Sequence, residues 1–268
     1  MPVLASRGAR AATAFGLAGD GFPPAALALF ARMSPAPSPA RKTLISQTIS
    51  ALIIAGVWQK LDLLQVFAAD AQANALLNWV SNSYNSSVVN TPTFTTDRGF
   101  TGVPASTSYL RTGYTPSSGP KWGQNDHAFG RWLRTGPGGG GYDIGAFENV
   151  TLKTATIISI VSGPQYHAGD SGGLVIINAD PIGSVTVTRN NSSTYDVYKN
   201  GSLASTVTST SRAGPPLEMF ALAYNLDGTP ATITLNQVGA IWVGQALSAG
   251  EILALHNAIQ NYMTGVGA

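Results

Sequence analysis

The spacing of apolar residues changes near residue 90, and the change divides the chain into two parts. From residue 24 to residue 85, apolar residues recur three and four positions apart, as they do along one face of a helix. From residue 90 onward, runs of four to eight residues rich in β-branched and aromatic side chains alternate with Gly, Pro, Asn and Ser. Such runs are typical of short strands. The pattern therefore predicts a helical region at 24–85 and a β domain at 90–268.

The clearest helix of the first part is predicted to begin at Ser38. Ser38 suits the N-cap position, Pro39 suits the first turn, and Gly56 is placed to end or bend the helix. The apolar stripe of this helix consists of Ile45, Ile49, Leu52, Ile53 and Val57. We expect this stripe to join the core or to lie on the domain that follows.

Two other helical segments are predicted in the same region. One follows the Pro23-Pro24 pair, and the other surrounds Leu61–Trp79, with a possible restart at Asp70. Together the three segments are interpreted as a region that anchors the protein.

The second part is predicted to be an antiparallel sandwich or barrel, because its many short runs are joined by turn residues. Asn200-Gly201 and Asp227-Gly228 are hairpin signals, since both residues of each pair tolerate positive φ. The predicted strands are Ala128–Leu133, Thr156–Val161, Leu174–Ile177, Val185–Thr188, Thr194–Tyr198, Leu203–Thr208, Met219–Tyr224, Thr232–Leu235 and Ala240–Val243.

One further helix is predicted to close the chain. Ser248 and Glu251 have the spacing of a capping box, and Gly265 marks the end of the helix. Its apolar stripe consists of Ile252, Leu255, Ile259, Tyr262 and Met263.

Charge is scarce in this chain and unevenly distributed. Charged residues make up 10% of the 268 residues, against about 25% in typical domains, so the surface depends on uncharged polar residues. Such a surface suits a protein covered by neighbours or one that works outside the cell. Residues 1–42 carry a net charge of +4, which leaves −2 for the remainder. Residues 1–23 are rich in Gly and Ala and are predicted to form an extended arm that docks on a neighbouring subunit.

The composition also excludes several kinds of site. The chain has no cysteine, which excludes disulfides and Cys-based zinc sites, and its three histidines and three glutamates argue against a metal cluster. We therefore expect no metal and no cofactor. No apolar run reaches the roughly 18 residues of a membrane span, and no nucleic-acid-binding signature is present, so neither membrane insertion nor sequence-specific nucleic-acid binding is expected.

The end of the chain resembles concanavalin A-like and laminin-G-like jelly rolls. The resemblance rests on Tyr198, Asn200 and Gly201, followed by the Ala246–Ser248 and Glu251–Ile252 segments. It implies that residues 90–268 form an antiparallel jelly-roll sandwich with a C-terminal helix.

Stretches upstream resemble proteins of tailed bacteriophages that pair a short helical region with this jelly roll. They are Gly56–Trp58, Leu61-Asp62, Leu77–Trp79, Thr91–Gly102, Ser108–Leu110 and Thr112-Gly113. The resemblance implies a virion structural protein, either a capsid decoration protein or part of a tail or fibre. It would be made in the host cytoplasm and would contact copies of itself and other virion proteins through residues 1–40.

The string GDSGG at 169–173 raises the alternative of a hydrolase, because it surrounds the nucleophile of trypsin-like proteases. His127 lies too near Ser171 in sequence for that architecture, and Leu174 stands where those proteases usually have Pro. Gly, Asp and Ser are also residues that turns require. We therefore interpret GDSGG as a turn before a strand, and expect no catalytic residues.

Glycoside hydrolysis is a second enzymatic alternative, since the jelly-roll fold hosts glycosidases that use paired carboxylates. Glu148 and Glu218 have no acidic neighbour within four positions, and Glu251 belongs to the capping box. An Asp pair such as Asp126 with Asp143 stays open.

A glycan- or receptor-binding module on the virion is the alternative to a purely structural role. Sugar sites commonly combine aromatic rings with Asn and Asp side chains. The candidate residues, all on predicted loops, are Trp122, Asn125, Asp126, Tyr142 and Asp143.

Overall fold

The computed structural model describes residues 21–135, 140–160, 165–170, 173–178 and 180–267. The predicted arm at 1–23 therefore falls almost wholly outside the described residues. The helices are α1 (Pro24–Phe30), α2 (Pro39–Ile54), α3 (Gln72–Ala75) and α4 (Ala249–Gly265). The strands are β1 (Leu61–Val66), β2 (Ser87–Val89), β3 (Thr93–Thr95), β4 (Gly99–Thr101), β5 (Tyr109–Arg111), β6 (His127–Leu133), β7 (Gly141–Glu148), β8 (Lys153–Ile160), β9 (Gln165–Asp170), β10 (Gly173–Asn178), β11 (Gly183–Arg189), β12 (Thr194–Lys199), β13 (Ser202–Thr208), β14 (Phe220–Ala221), β15 (Tyr224–Leu226), β16 (Thr229–Ala231) and β17 (Gln237–Gly244).

The strands form two sheets, as the sequence predicted. Sheet A has the order β13-β12-β11-β6-β17-β4-β3, and β1 also pairs with β17. Sheet B has the order β10-β9-β8-β7-β14-β5-β2, and the β15–β16 hairpin joins it at β7. Of the strand pairs, only β15–β7 is parallel. The predicted mainly β, antiparallel sandwich is thereby confirmed.

The sheets enclose one core, and the helices add a second. The inner faces of both sheets meet around Phe67, Phe129, Ile157, Val187 and Ile241. On the outer face of sheet A, α1, α2 and α4 bury a separate apolar cluster that includes Trp132 and Trp242 of the sheet. The molecule therefore has three layers, with sheet A in the middle and sheet B on the outside.

Local signals in the sequence are realised where they were predicted. The Ser38 side chain accepts a hydrogen bond from the Arg41 N–H, and Gly56 ends α2 with φ of +74°. Ser248 and Glu251 form a complete capping box at α4. Asn200-Gly201 turns β12 into β13 with positive φ at both residues.

The helical prediction around Leu61–Trp79 is wrong. Leu61–Val66 is a strand that pairs with β17, and only four residues, Gln72–Ala75, form a helix. All six residues of β1 are buried, because the helices cover one side of the strand and the inner core covers the other. An apolar run that is buried on both faces has no alternation, so its periodicity does not separate strand from helix.

The prediction of a strand at Thr232–Leu235 is also wrong. The strand lies earlier, at Thr229–Ala231, and Ile233 makes only an isolated bridge to Tyr142.

The β7 strand was not predicted, because Gly141, Asp143 and Gly145 within it have low strand propensity.

A buried ion pair joins the two sheets across the core. Arg131 of β6 donates from Nε to Asp143 Oδ2 of β7 at 3.0 Å, and neither side chain is exposed. Arg131 also donates to the Gly183 carbonyl at 2.8 Å, while Asp143 Oδ1 accepts from Thr234 and Asn236. The pair is thus closely hydrogen-bonded, as a buried pair must be to offset its desolvation.

We predict that Asp143→Leu lowers the free energy of unfolding by about 3–5 kcal/mol, because it leaves the Arg131 charge buried and uncompensated. Urea denaturation measures the change. The double variant Arg131→Met/Asp143→Leu is the matched control, and it should recover most of the loss because no charge stays buried. A double variant no more stable than the single one would contradict the assignment.

Candidate ligand-binding surface

The five predicted glycan-contacting residues do not form one cluster. One group, Trp122, Asn125 and Asp126, lies just before the start of β6. The other group, Tyr142 and Asp143, lies in β7, which follows the opposite end of β6. The structure therefore separates the prediction into two groups.

The first group mainly holds the fold together. The Trp122 ring stacks on the buried His127 ring with centroids 4.1 Å apart and an interplanar angle of 7°. Asp126 accepts from Gln245 Nε2 at 2.8 Å and from the Ala246 N–H at 3.1 Å, which fastens this loop to the connection between β17 and α4. Only Asn125 in this group is exposed.

The second group divides between the two faces of β7. Asp143 points into the core, where it forms the ion pair with Arg131. Tyr142 points outward and is half-buried, and its ring centroid lies 4.0 Å from that of Tyr224. Of the five predicted residues, Tyr142 alone combines an aromatic ring with an outward position on a sheet.

Tyr142 belongs to a row of aromatic residues on the outer face of sheet B. Tyr109 and Phe220 form a second pair with centroids 4.5 Å apart, and both pack with Ile233, which bridges to Tyr142. We call Tyr109, Tyr142, Phe220 and Tyr224 the tyrosine face. Tyr142 and Tyr224 are its accessible members, since Tyr109 and Phe220 are buried.

Two strained residues shape this face. Leu222, between β14 and β15, has φ of +69°, and Thr232, beside Ile233, has φ of +46°. Left-handed backbone in such residues costs about 1–3 kcal/mol and persists only where the surroundings enforce it. Here the Leu222 N–H donates to the Asp143 carbonyl, and the Leu222 carbonyl accepts from Thr234, both at 2.9 Å. The predicted strand Met219–Tyr224 contained Phe220 and Tyr224, but the break at Leu222 had no signal in the sequence.

The two accessible tyrosines keep their hydroxyl protons at neutral pH. Burial raises the pKa of Tyr142, and the neighbouring Tyr224 adds to the effect. Burial also raises the pKa of Tyr224, with a further contribution from Asp227. The pair therefore offers two adjacent ring faces with neutral hydroxyls that can donate and accept hydrogen bonds.

The sequence matches no family profile and no curated protein. Solved structures do share the sandwich. The receptor binding domain of botulinum neurotoxin D aligns with 75% of this chain and 53% of its own, at 11% identity and a TM-score of 0.50. A Trypanosoma rangeli sialidase in complex with 2,3-difluorosialic acid aligns with 75% of this chain and 33% of its own, at 13% identity and a TM-score of 0.51.

The fold is an antiparallel jelly-roll β-sandwich. At such identities the likeness extends to the fold alone, and this chain matches about half or less of the length of these neighbours. Among the described residues, no group of three His, Asp or Glu side chains is arranged to hold a metal ion. None of the helices in the described ranges is long and apolar enough to cross a membrane.

The aspartate of GDSGG joins a second charge cluster between the sheets. Asp170 Oδ2 lies 3.0 Å from His127 Nε2 and also accepts from Arg189 Nε, and all three side chains are buried. The other ring nitrogen of His127 faces the Gly123 carbonyl at 2.7 Å. Both nitrogens are therefore occupied. Ser171, and with it the predicted turn, lies outside the described residues, while Asp170 pairs with Gly173 where β9 and β10 run antiparallel.

This cluster makes stability depend on pH. Burial pushes the pKa of Asp170 up, but the hydrogen bonds and charges of His127 and Arg189 outweigh burial and hold the pKa below its ordinary value of 3.8. A carboxyl group with a depressed pKa stabilises the fold above its unfolded pKa and loses that contribution as the pH falls through the folded pKa.

We predict that Asp170→Asn lowers the free energy of unfolding by about 3 kcal/mol at neutral pH and flattens its decline between about pH 5 and pH 2. Urea titrations at several pH values measure both effects. Asp196→Asn, which removes a partly exposed carboxylate bonded to Thr206, should keep the wild-type profile. Equal acid sensitivity in the wild type and Asp170→Asn would contradict the cluster's role.

Proposed function

We propose that this chain is a non-enzymatic binding module that recognises carbohydrate with its tyrosine face. The observation that carries the proposal is the Tyr142–Tyr224 pair on the outer face of sheet B. This face is the candidate because α1, α2 and α4 cover the outer face of sheet A. Flat aromatic rings pack on the apolar face of a sugar, and the adjacent hydroxyls bond its polar groups.

A neighbour of the same fold supports a binding role, since it is named a receptor binding domain. The sialidase neighbour holds its sialic acid derivative as a covalent intermediate, so it supports the fold and not this role. Both proteins share only the fold with this chain, so the tyrosine face supplies the chemical argument.

The state of the glutamates supports the absence of hydrolysis. Glu148 accepts hydrogen bonds from the turn that follows it, Glu218 pairs with Arg111, and Glu251 caps α4 and pairs with Lys60. Each carboxylate thus has a structural role, and the three lie in separate parts of the fold. The Asp126–Asp143 alternative loses support as well, since Asp126 anchors a loop and Asp143 is buried.

We predict that Tyr224→Ala weakens carbohydrate binding by about tenfold or more, as expected when an aromatic anchor is truncated. A glycan array identifies ligands and titration calorimetry measures their affinity. Tyr224→Phe separates stacking from hydrogen bonding, because it removes only the hydroxyl. Leu203→Ala is the matched control, since Leu203 is an exposed apolar residue of β13 in the other sheet.

The carbohydrate proposal fails if no glycan binds the wild type, or if bound glycans are indifferent to both Tyr142→Ala and Tyr224→Ala.

We further propose that the module is carried on a bacteriophage virion, where residues 1–40 attach it to copies of itself or to other virion proteins. The resemblance of the upstream stretches to phage proteins motivates this role. A specific feature of α2 favours attachment: from Thr43 to Ile54 the helix has no charged residue, and Ile54 is 68% exposed. An open groove of about 450 Å³ lies between Gly21-Phe22 and this uncharged surface of α2.

We predict that deleting residues 1–20 leaves the thermal stability unchanged but abolishes incorporation into particles. The cut preserves Phe22, which packs edge-on against Phe30 at 5.4 Å and belongs to the helical layer. Melting curves and quantification of the protein in purified particles measure the two effects. Normal incorporation of the truncated protein would exclude the arm from attachment.

A further inference from the structure

A polar cleft at the end of β6 lies apart from the tyrosine face. It encloses about 380 Å³, within the range of small-ligand sites. Its walls come from the end of β6, the start of β11, the β12–β13 turn and α4. The lining residues are Trp132, Leu133, Arg134, Ile182, Gly183, Asn200 and Gln260.

Arg134 lines this cleft, and Lys199 lies beside it through its hydrogen bonds to Ile182 and Asn200. Neither cation forms a salt bridge among the described residues, although the charge of Asp180 acts on Lys199. The only side-chain hydrogen bond of Arg134 in the described part is a long one, 3.5 Å from Nη1 to Gln237 Oε1. The Lys199 amine donates to the Ile182 carbonyl and lies 3.3 Å from Asn200 Oδ1. No acidic side chain is among the described residues that line the cleft.

Two neutral amide side chains, Asn200 and Gln260, also line the cleft. Asn200 Oδ1 accepts hydrogen bonds from the Ser184 N–H and from the Lys199 amine. No hydrogen bond of Asn200 Nδ2 is found in the described part of the chain. Gln260 lies on the exposed side of α4, across the cleft from the turn, and its Nε2 donates to Thr264 Oγ1 at 3.2 Å. Cationic side chains bind carboxylates and phosphates by charge-assisted hydrogen bonds, to which a neighbouring amide N–H can add.

The surroundings of the two cations are positive. Burial, and after it the charge of Arg131, lower the pKa of Lys199 to about 7, while the charge of Asp180 opposes the shift. Burial lowers the pKa of Arg134, and the positive charge of Arg98 adds to this lowering. His256 on α4 faces the same field, since its pKa is lowered first by burial and then by Lys199. A bound anion relieves this repulsion.

We propose that this cleft binds an oxyanion between Arg134 and Lys199, with the amide of Asn200 as a further donor. The oxyanion is either the carboxylate of an acidic sugar or free phosphate. The site does not depend on the tyrosine face, which lies on the other sheet.

The test is a titration of the full chain followed by NMR, with glucuronate, glucose and inorganic phosphate as probes. Glucose is the matched neutral probe, because it differs from glucuronate in the carboxylate. We expect glucuronate or phosphate to shift the resonances of Asn200 and Gln260 while glucose does not. Tighter glucuronate binding identifies an acidic sugar as the source, and tighter phosphate binding identifies the free ion.

Arg134→Met and Lys199→Met should each weaken anion binding by roughly tenfold or more, as the loss of a charge-assisted hydrogen bond does. Tyr224→Ala should leave it unchanged, which separates failure of this site from failure of the tyrosine face. Melting curves confirm that each variant folds. Absence of anion binding, or wild-type affinity in both Met variants, overturns the proposal.

The pH dependence gives a second readout. Protonated Lys199 binds the anion, so affinity should fall as the pH rises through about 7. Lys199→Arg keeps the charge at every pH in this range and should bind with a flatter profile. A profile in Lys199→Arg as steep as in the wild type would assign the titration to another group, such as His256, and would overturn the role of Lys199.

Discussion

The charged pairs buried between the sheets are the constraint on which the rest of this sandwich depends. Arg131 and Arg189 project inward from sheet A, and Asp143 and Asp170 project inward from sheet B to meet them. A buried ion pair costs desolvation, and a buried charge without its partner costs several kcal/mol. Alternative registers that separate the partners are therefore strongly disfavoured, and the pairs fix how the two sheets face each other.

The same pairs determine which side chains reach the surface. Neighbouring residues on a strand point to opposite faces, so holding Asp143 inside places Tyr142 outside. Holding Arg131 inside likewise turns Trp132 toward the helices. A register shift in the pairing of β7 with β8, between Tyr142 and Ile144, lets both Asp143 and Ile144 stay in the core. The tyrosine face and the helical layer are thus two consequences of one internal arrangement.

How much the sequence predicted depends on how local each determinant is. Ser38, Asn200-Gly201 and Ser248 act on backbone within a few residues, and each was placed correctly. β1 was missed because its character comes from distant layers that cover both of its faces. Tyr142 was predicted as a candidate because it is an aromatic residue beside a Gly-rich loop, whereas Tyr224 was not, since the residue that pairs with it lies some 80 positions away. In the sequence, the buried Arg131–Asp143 pair was signalled by Arg131 itself, an arginine at an inward position of the otherwise apolar strand β6.

The buried pairs also affect how much charge is left for the surface of this charge-poor chain. The chain has 15 Lys and Arg and 13 Asp and Glu, and five of these side chains, Asp62, Arg131, Asp143, Asp170 and Arg189, are buried in the described part. The surface is therefore even poorer in charge than the composition suggests. On such a surface the field of a cation is less cancelled by neighbours, and a steering potential builds up where cations gather. Arg134 lines one cleft and Lys199 lies beside it, whereas α2 carries no charge between Thr43 and Ile54. Uncharged surface favours protein contact and concentrated charge favours ion binding, so the two sides of the molecule suit different kinds of contact.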